Sequence, residues 1–197
     1  MVYYSEYKKH RHSTPVSINT TGQPTIGDVG AAVHIVVFQD LYCPGCKHFA
    51  ATIYPSLTSR YVDAGYAKYT LIPLPFLPNS KEAAQVALTI YRIQPTKFFP
   101  YIDLFYEAKE KKSFSTKKQL LALANKVQGI DIAALKRGIT SWDSSNLLEK
   151  NLDIAAAAMK SVATPAIFVN GVNVSNLSKK ELCNYIDQQI WENGRAN

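Results

Sequence analysis

The hydrophobic pattern in the first part of the chain predicts two buried strands joined by a helix. Val33 to Phe38 is an apolar, mostly β-branched run that only His34 interrupts, as expected for a strand covered on both faces. A helical pattern runs from about Pro44 to Ala64, and Pro55 should kink this helix because proline lacks a backbone donor. The next strand is Tyr66 to Ile72, after which three prolines end regular structure.

The segment that precedes these strands has weaker patterns. Val16 to Thr20 alternates enough to be compatible with a short edge strand, whereas Gln23 to Asp28 has the proline and glycine content of a turn. We expect residues 1–13 to be a flexible tail.

The pattern becomes helical over residues 79–160. Asn79 to Glu82 resembles a helix start with glutamate at the third position, and Thr116 to Gln119 is a capping box. Further helices are predicted after Pro95, after Asp131 and from Ser144 to Lys160.

Near the C-terminus, hydrophobic and polar residues again alternate with the period of two that is typical of strands. Ala166 to Val169 is predicted as a strand, Asn170-Gly171 as a hairpin turn and Val172 to Val174 as the partner strand. Ser178 to Glu181 is a capping box that opens a final helix, which ends near Trp191.

The resulting order is β, β, α, β, a block of helices, then β, β, α. It predicts an α/β fold in which helices flank a central sheet and a helical insertion interrupts it. The strand–helix–strand unit makes two strands parallel through a right-handed crossover, and the terminal hairpin adds antiparallel strands. We assign residues 14–78 and 161–197 to the sheet domain and residues 79–160 to the inserted helical domain.

The composition permits a full hydrophobic core, and the sequence contains no predicted transmembrane segment. Of the 197 residues, 47% are hydrophobic and 19% are charged, which suits one domain with an insertion. No apolar stretch approaches the roughly 18 residues of a transmembrane helix. Met1 to His12 lacks the apolar centre of a signal peptide. The protein is therefore either cytosolic or trimmed of a leader or anchor.

The net charge is +7, from 22 lysines and arginines against 15 aspartates and glutamates. A solvated helix face is the simplest interpretation, and attraction to an anionic surface is compatible with it. No recognition motif accompanies the charge, so we expect no nucleic-acid partner. The densest basic cluster consists of Lys109, Lys111, Lys112, Lys117 and Lys118.

The motif that carries chemistry is Cys43-Pro44-Gly45-Cys46, between the predicted strand and helix. A CxxC in this position is typical of a thiol–disulfide redox site. With Cys43 just before the helix, Pro44 fits its first position and Cys46 lies one turn away. Gly45 leaves room for another backbone to approach. The free N–H groups and the helix dipole favour a Cys43 thiolate, so its pKa should fall below the free value of about 8.5. Cys46 should be shielded and resolve mixed disulfides.

Three cysteines are too few for a disulfide-stapled scaffold. Zinc binding is the alternative use of the motif, but a structural zinc site needs four ligands, and only Cys183 and four histidines remain. His48 is close in sequence to Cys46 but need not face it. We therefore expect no metal. Cys183 fits either a buried apolar position or a regulatory thiol.

With its second half included, the chain resembles the DsbA-like branch of the thioredoxin superfamily over about residues 22–192. The resemblance rests on Gln23 to Asp28, on Val36 to Phe49 around the CPGC motif, and on Val162 to Gly171 with its Thr-Pro pair. A CPxC motif, a Thr-Pro-strand-Asn-Gly stretch and intervening helices are together a specific combination. The fold implied is a thioredoxin fold with a helical domain inserted between its βαβ and ββα halves.

The resemblance also implies roles for individual residues. Cys43 would be the nucleophile and Cys46 the resolving thiol. Thr164-Pro165 would be a cis bond, which turns the chain and frees the Thr164 backbone to pair with an extended substrate. An ordinary proline at a strand start is the alternative. The candidate substrate-binding residues are Thr164, Pro165, Pro44 and Gly45.

The activity implied is that of a thiol:disulfide oxidase that needs no cofactor and introduces disulfides into secreted proteins. Its partners would be reduced or unfolded secreted proteins and a membrane quinone-linked reoxidant of DsbB-like or VKOR-like type. It would work as a monomer outside the bacterial cytoplasmic membrane. A reductase or isomerase on the same fold is one alternative, and a non-catalytic binding protein is another.

Two positions depart from the DsbA-like pattern. Many relatives have a buried acid six positions before the first active-site cysteine, where it assists proton transfer at the deeper cysteine, and this chain has Val37 there. Asp40 is nearer to the motif and is a candidate substitute for this acid, but the alternation of the strand places it on the opposite face from Val37. Gly45 stands where strongly oxidising relatives have histidine. We therefore expect a milder oxidant.

Overall fold

The computed structural model describes residues 14–109 and 116–194. Within them, five strands form one mixed sheet in the order β1–β3–β2–β4–β5. The central strands β2 and β3 pair in parallel, and the other neighbouring strands are antiparallel. The strands are β1 (Thr25–Ile26), β2 (Val33–Gln39), β3 (Ala67–Pro73), β4 (Ala166–Val169) and β5 (Val172–Asn173).

Helices occupy the connections that the sequence predicts. Helix α1 (Pro44–Thr52), helix α2 (Tyr54–Leu57) and a π-helical turn (Thr58–Val62) join β2 to β3. Helix α8 (Lys179–Gly194) follows the terminal hairpin. The predicted element order is confirmed. The helices between β3 and β4 are α3 (Ser80–Ile93), a 3-10 turn (Pro95–Lys97), α4 (Phe98–Lys109), α5 (Lys117–Ala124), α6 (Ile132–Ser141) and α7 (Ser145–Ala158).

The first crossover differs from the single kinked helix predicted over residues 44–64. The helix breaks at Ile53, whose φ is −107°, and Pro55 lies in the first turn of α2. Proline is tolerated there because the first N–H groups of a helix have no intrahelical acceptor. Gly65, with φ 76°, then ends the connection.

The edge of the sheet also differs from prediction. Val16 to Thr20 forms no strand, and the edge strand is instead Thr25–Ile26, within the stretch predicted as a turn. It pairs with Thr70 and Tyr69 of β3. Val16 donates one backbone hydrogen bond to Gly171, at 3.0 Å, which is not enough to make a ladder.

The predicted hairpin turn and two predicted capping boxes are present in the structure. Asn170 and Gly171 have φ values of 48° and 81°, as the predicted hairpin turn requires. Thr116 and Ser178 form capping boxes. Asn79 is the exception: it precedes α3 in a left-handed conformation, and its side chain makes no capping bond.

The alternation of β2 divides the core into two sides. Val33, Ile35 and Val37 face a core that also contains buried side chains of α1, α3, α4 and α8. Val36 and Phe38 face the opposite side, where α7 contributes Ala155. Helix α7 therefore packs on the sheet, whereas α4, α5 and α6 each contact α3. The domain boundaries at residues 79 and 160 stay a prediction. No helix in the described part of the chain is both long and apolar enough to span a membrane.

Asn151 of α7 connects the segment just before β1 to the sheet. Its Nδ2 donates to the Pro73 carbonyl oxygen at 2.7 Å, and its Oδ1 accepts from Gln23 Nε2 at 2.5 Å. The Leu71 N–H donates to the Pro24 carbonyl oxygen at 2.9 Å. Gln23 and Asn151 are both buried, so these bonds hold the segment before β1 against the end of β3.

Candidate active site

The CPGC motif lies where β2 gives way to α1. Cys43 is the residue before the helix, with extended backbone (φ −70°, ψ 124°), and Pro44 is the first helical residue, as predicted. Cys43 is partly exposed, whereas Cys46 is fully buried. Both are free thiols, so the structure represents the reduced state.

Asp40 builds the loop between β2 and the motif. Its buried carboxylate accepts hydrogen bonds from the backbone N–H groups of Tyr42 (2.7 Å), Phe76 (3.0 Å) and Leu77 (2.9 Å). These bonds join the motif's loop to the segment after β3. The Asp40 carboxylate thus accepts three backbone hydrogen bonds. These bonds account for its burial, and no role in proton transfer is needed to explain it.

The two sulfur atoms have opposite electrostatic environments. Partial burial opposes a Cys43 thiolate, but hydrogen bonds from the Thr164 side chain and from the Cys46 and Gly45 N–H groups outweigh it. They lower the pKa of Cys43, as predicted. Burial raises the pKa of Cys46 far above its ordinary value, and the nearby Cys43 charge adds to the effect. Of the two sulfur atoms, Cys43 is therefore the one whose thiolate form the site favours.

The Thr164-Pro165 segment lies against the motif, and its peptide bond is cis, as the resemblance implied. The Cys43 thiol donates to the Thr164 carbonyl oxygen at 3.3 Å. A Cβ atom at Gly45 would lie only 3.1 Å from Pro165 Cδ and 3.6 Å from Cys43 Sγ. Glycine at position 45 thus allows the proline loop to approach the sulfur. The structure brings all four candidate substrate-binding residues beside the two cysteines.

The Thr164 hydroxyl oxygen is buried and forms no well-aligned hydrogen bond with another residue in the described ranges. Its hydrogen is therefore available to turn towards a sulfur atom. This arrangement explains why the Thr164 side chain lowers the pKa values of both Cys43 and Cys46.

Gln39 is the site residue that the sequence analysis missed. It follows Val37 on the same face of β2 and is 2% exposed. Its Nε2 donates to the Tyr69 hydroxyl at 3.0 Å, and its Oε1 accepts from the Tyr106 hydroxyl at 3.1 Å. The alternation of the strand could have identified it. Gln39 lies two residues after Val37, so it is a polar residue on the buried face of β2.

The other sulfur and imidazole groups in the described ranges do not form a metal site. Cys183 is 8% exposed and lies in the core, which fits the buried apolar position. His48 is exposed on α1. Among the residues that the structure describes, no three His, Cys, Asp or Glu side chains gather as a metal site would need.

The fold and the motif define the class of protein. The sequence model of the thioredoxin family matches residues 19–188. The chain therefore belongs to the thioredoxin family, and the predicted thioredoxin fold with inserted helices is confirmed.

Named relatives make the class more specific. The chain is 27% identical over 172 residues to probable disulfide bond formation protein D of Bacillus anthracis, covering 85% of this chain and 78% of that one. The oxidised BdbD structure from Bacillus subtilis has a TM-score of 0.80 and 25% identity, covering 90% of this chain and 98% of that chain. Chlamydia trachomatis DsbA has a TM-score of 0.78 and 28% identity, covering 89% and 95%. The protein is a DsbA-like thiol:disulfide oxidoreductase.

Proposed function

We propose that the protein acts as an oxidant, which transfers the disulfide between Cys43 and Cys46 to other proteins. The observation that supports this direction is the low pKa of Cys43 beside the high pKa of Cys46. A thiolate that the site stabilises makes the reduced form more stable, and a stable reduced form makes the disulfide a stronger oxidant.

The proposed reaction has two exchange steps. A substrate thiolate attacks Cys43 Sγ, the Cys43–Cys46 bond breaks, and Cys46 leaves and takes up a proton. A second substrate thiolate then attacks the substrate sulfur of the mixed disulfide and releases Cys43 as a thiolate. The substrate loses two electrons, and the CPGC pair gains them. Attack on Cys43 rather than Cys46 follows from exposure, because Cys46 is fully buried.

Thr164, Pro165, Pro44 and Gly45 are the proposed substrate contacts. Pro44 and Gly45 are exposed, and Thr164 and Pro165 are half-buried beside them. An extended peptide can pair with backbone groups next to the proline while its sulfur reaches Cys43. The close approach of Pro165 to Gly45 would hold that peptide near the reacting sulfur.

The proposed setting is outside the cytoplasmic membrane. Its clients would be reduced or unfolded secreted proteins, since structural disulfides persist in oxidising compartments. A membrane quinone-linked partner of DsbB-like or VKOR-like type would restore the disulfide, and the protein would work as a monomer without nucleic acid. The name of the Bacillus anthracis relative, a disulfide bond formation protein, supports the oxidase direction.

Oxidative refolding of reduced, unfolded ribonuclease tests the proposal. The oxidised protein should restore ribonuclease activity, and both Cys43→Ser and Cys46→Ser should abolish this effect. Cys183→Ser is the matched control and should retain full activity. Equal refolding with Cys43→Ser and Cys46→Ser would refute the proposal. Rescue of scrambled ribonuclease without oxidation of the reduced form would identify an isomerase instead.

A further inference from the structure

The full burial of Cys46 creates a problem of proton transfer. Whenever the Cys43–Cys46 bond breaks, a sulfur that is 0% exposed must take up a proton, and it must lose one when the bond forms again. Val37 offers no ionisable group, and the Asp40 carboxylate is bound to backbone N–H groups. Neither residue is therefore placed to exchange this proton with solvent.

A buried polar cluster lies in the same core as Cys46. Gln39 holds the Tyr69 and Tyr106 hydroxyl groups with hydrogen bonds of 3.0 and 3.1 Å. Cys46, Tyr69 and Tyr106 all belong to this core. Burial raises the pKa of both tyrosines, and a charge on Cys46 would add to this effect. Tyr69 accepts from Gln39, and the described residues provide no acceptor for its own hydroxyl hydrogen.

A small cavity joins this cluster to a carboxylate. Its volume, counted as space for the centre of a water molecule, is about 10 Å³, which is at the lower limit for holding one water. A water there would have the Tyr69 hydroxyl, the Gln39 amide and the Asp103 carboxylate among its possible partners. The polar side chains that line it are Gln39, Tyr54, Tyr69 and Asp103.

Asp103 lies at the boundary between this cavity and solvent. The same residue lines a larger open groove of about 460 Å³ between α1, α2 and α4. The residue as a whole is exposed, while partial burial raises the pKa of its carboxyl group. The ionisable groups around it are Lys47 of α1, Tyr54 of α2, Tyr69 of β3, and Tyr106 and Glu107 of α4.

We propose that Asp103 exchanges the proton of the buried Cys46 sulfur with solvent, through the Tyr69 hydroxyl and one water in the small cavity. Gln39 is a positioning residue that orients the tyrosine. When Cys46 attacks a mixed disulfide at Cys43, its S–H proton passes to Tyr69, the Tyr69 proton passes to the water, and Asp103 accepts a proton from that water. The Cys43–Cys46 bond forms and the departing thiolate takes the electron pair. The reverse path protonates Cys46 when the bond breaks.

Rapid mixing of the reduced protein with excess oxidised glutathione resolves the relevant step. Cys43 first forms a mixed disulfide with glutathione, and Cys46 then displaces the glutathione. Acid-quenched samples followed by mass report both rates from pH 4 to pH 8. In the wild type, the second rate should rise with pH as Asp103 ionises. Asp103→Asn should remove that rise and slow the step by roughly 100-fold or more, while the first step, which uses only Cys43, stays unchanged.

Glu107→Gln is the matched control, because Glu107 lines the same groove on the same helix but does not line the small cavity. It should leave both rates and their pH profiles unchanged. Tyr69→Phe should slow the second step as Asp103→Asn does, and the double variant should be no slower than either single variant. An Asp103→Asn profile that matches Glu107→Gln would overturn the proposal, as would a normal second step in Tyr69→Phe.

This inference rests on the proposed roles of Cys43 and Cys46, but its test is independent of the direction of catalysis. Cys46 must lose its proton in an oxidase and in a reductase alike. A strongly reducing potential of the Cys43–Cys46 pair, measured against glutathione, would refute the proposed oxidant function but would not change the expected effect of Asp103→Asn. A normal second step in Asp103→Asn would refute the proton path and leave the oxidant in place.

Discussion

At the scale of single residues, the site depends on contacts that select one sulfur for exchange. Cys43 gains hydrogen bonds to its charged form, and Cys46 loses contact with solvent. Thr164 links the motif to the proline loop through its carbonyl oxygen and its hydroxyl. The chemistry of the motif is therefore set by a residue from the other half of the chain.

Thr164→Val tests this contribution. Valine keeps the side-chain shape but removes the hydroxyl, so the pKa of Cys43 should rise and its disulfide should become less oxidising. The pKa is measured from the ultraviolet absorbance of the thiolate as pH is varied. Thr140→Val, an exposed substitution on α6, is the control and should leave the titration unchanged. A Cys43 pKa equal to that of the wild type would contradict the role of the hydroxyl.

The sequence predicted the residues whose roles are encoded locally. The CPGC motif carries its own helix start, and Thr164-Pro165 stands in a recognisable stretch before a strand. Gln39 was missed because its hydrogen bonds form only when β2, β3 and α4 pack together, and the same packing places Asp103 on the proposed proton path. A glutamine at a strand end and an aspartate on a helix have no distinctive local signal.

At the scale of elements, buried polar bonds connect segments that are distant in the chain. The Asn151 side chain of α7 forms hydrogen bonds with Gln23, just before β1, and with Pro73 at the end of β3. Alternation and capping predicted the order of these elements. They failed at the edge strand, where a two-residue strand depends on pairing with β3 rather than on its own pattern.

Asn151→Ala should destabilise the fold, because it leaves buried Gln23 and the Pro73 carbonyl group without these hydrogen bonds. The expected loss in the free energy of unfolding is about 1–3 kcal/mol. Urea denaturation measures it. Asn146→Ala, at an exposed position on the same helix, should cost much less. Equal effects of the two substitutions would show that the buried bonds add no specific stability.

His34 makes stability depend on pH. Its Nε2 lies 2.8 Å from the Thr70 hydroxyl oxygen, and burial, with a smaller effect of Lys68, lowers the pKa of His34 to about 4. In the unfolded chain the pKa is about 6.5. Between these values the unfolded chain binds the proton more readily, so stability falls as pH drops from about 6.5 towards 4.

His34→Gln should remove this part of the pH dependence. The melting temperatures of the wild type and the variant are measured from pH 7 to pH 4. The difference between them should be smaller at pH 4 than at pH 7. His48→Gln, on the exposed face of α1, should follow the wild-type curve. The same slope for His34→Gln and the wild type would contradict a proton-linked role for His34.

At the scale of the whole molecule, the two halves of the thioredoxin fold and the inserted helices meet around the CPGC motif. The βαβ half supplies the cysteines and Gln39, and the ββα half follows the Thr164-Pro165 loop. Helix α4 supplies Tyr106 and the Asp103 of the proposed proton path. The architecture was predictable because the period of the hydrophobic pattern changes at each boundary. The contacts between the parts were not, because they join residues far apart in sequence.

The redox equilibrium of the Cys43–Cys46 pair with glutathione tests the central proposal most directly. The reduced and oxidised fractions are measured across defined ratios of reduced to oxidised glutathione. A stabilised Cys43 thiolate with little further side-chain support predicts a potential between about −180 and −120 mV, the range of oxidising thioredoxin-fold proteins. A potential below about −230 mV, towards that of thioredoxin, would contradict an oxidant and indicate a reductase.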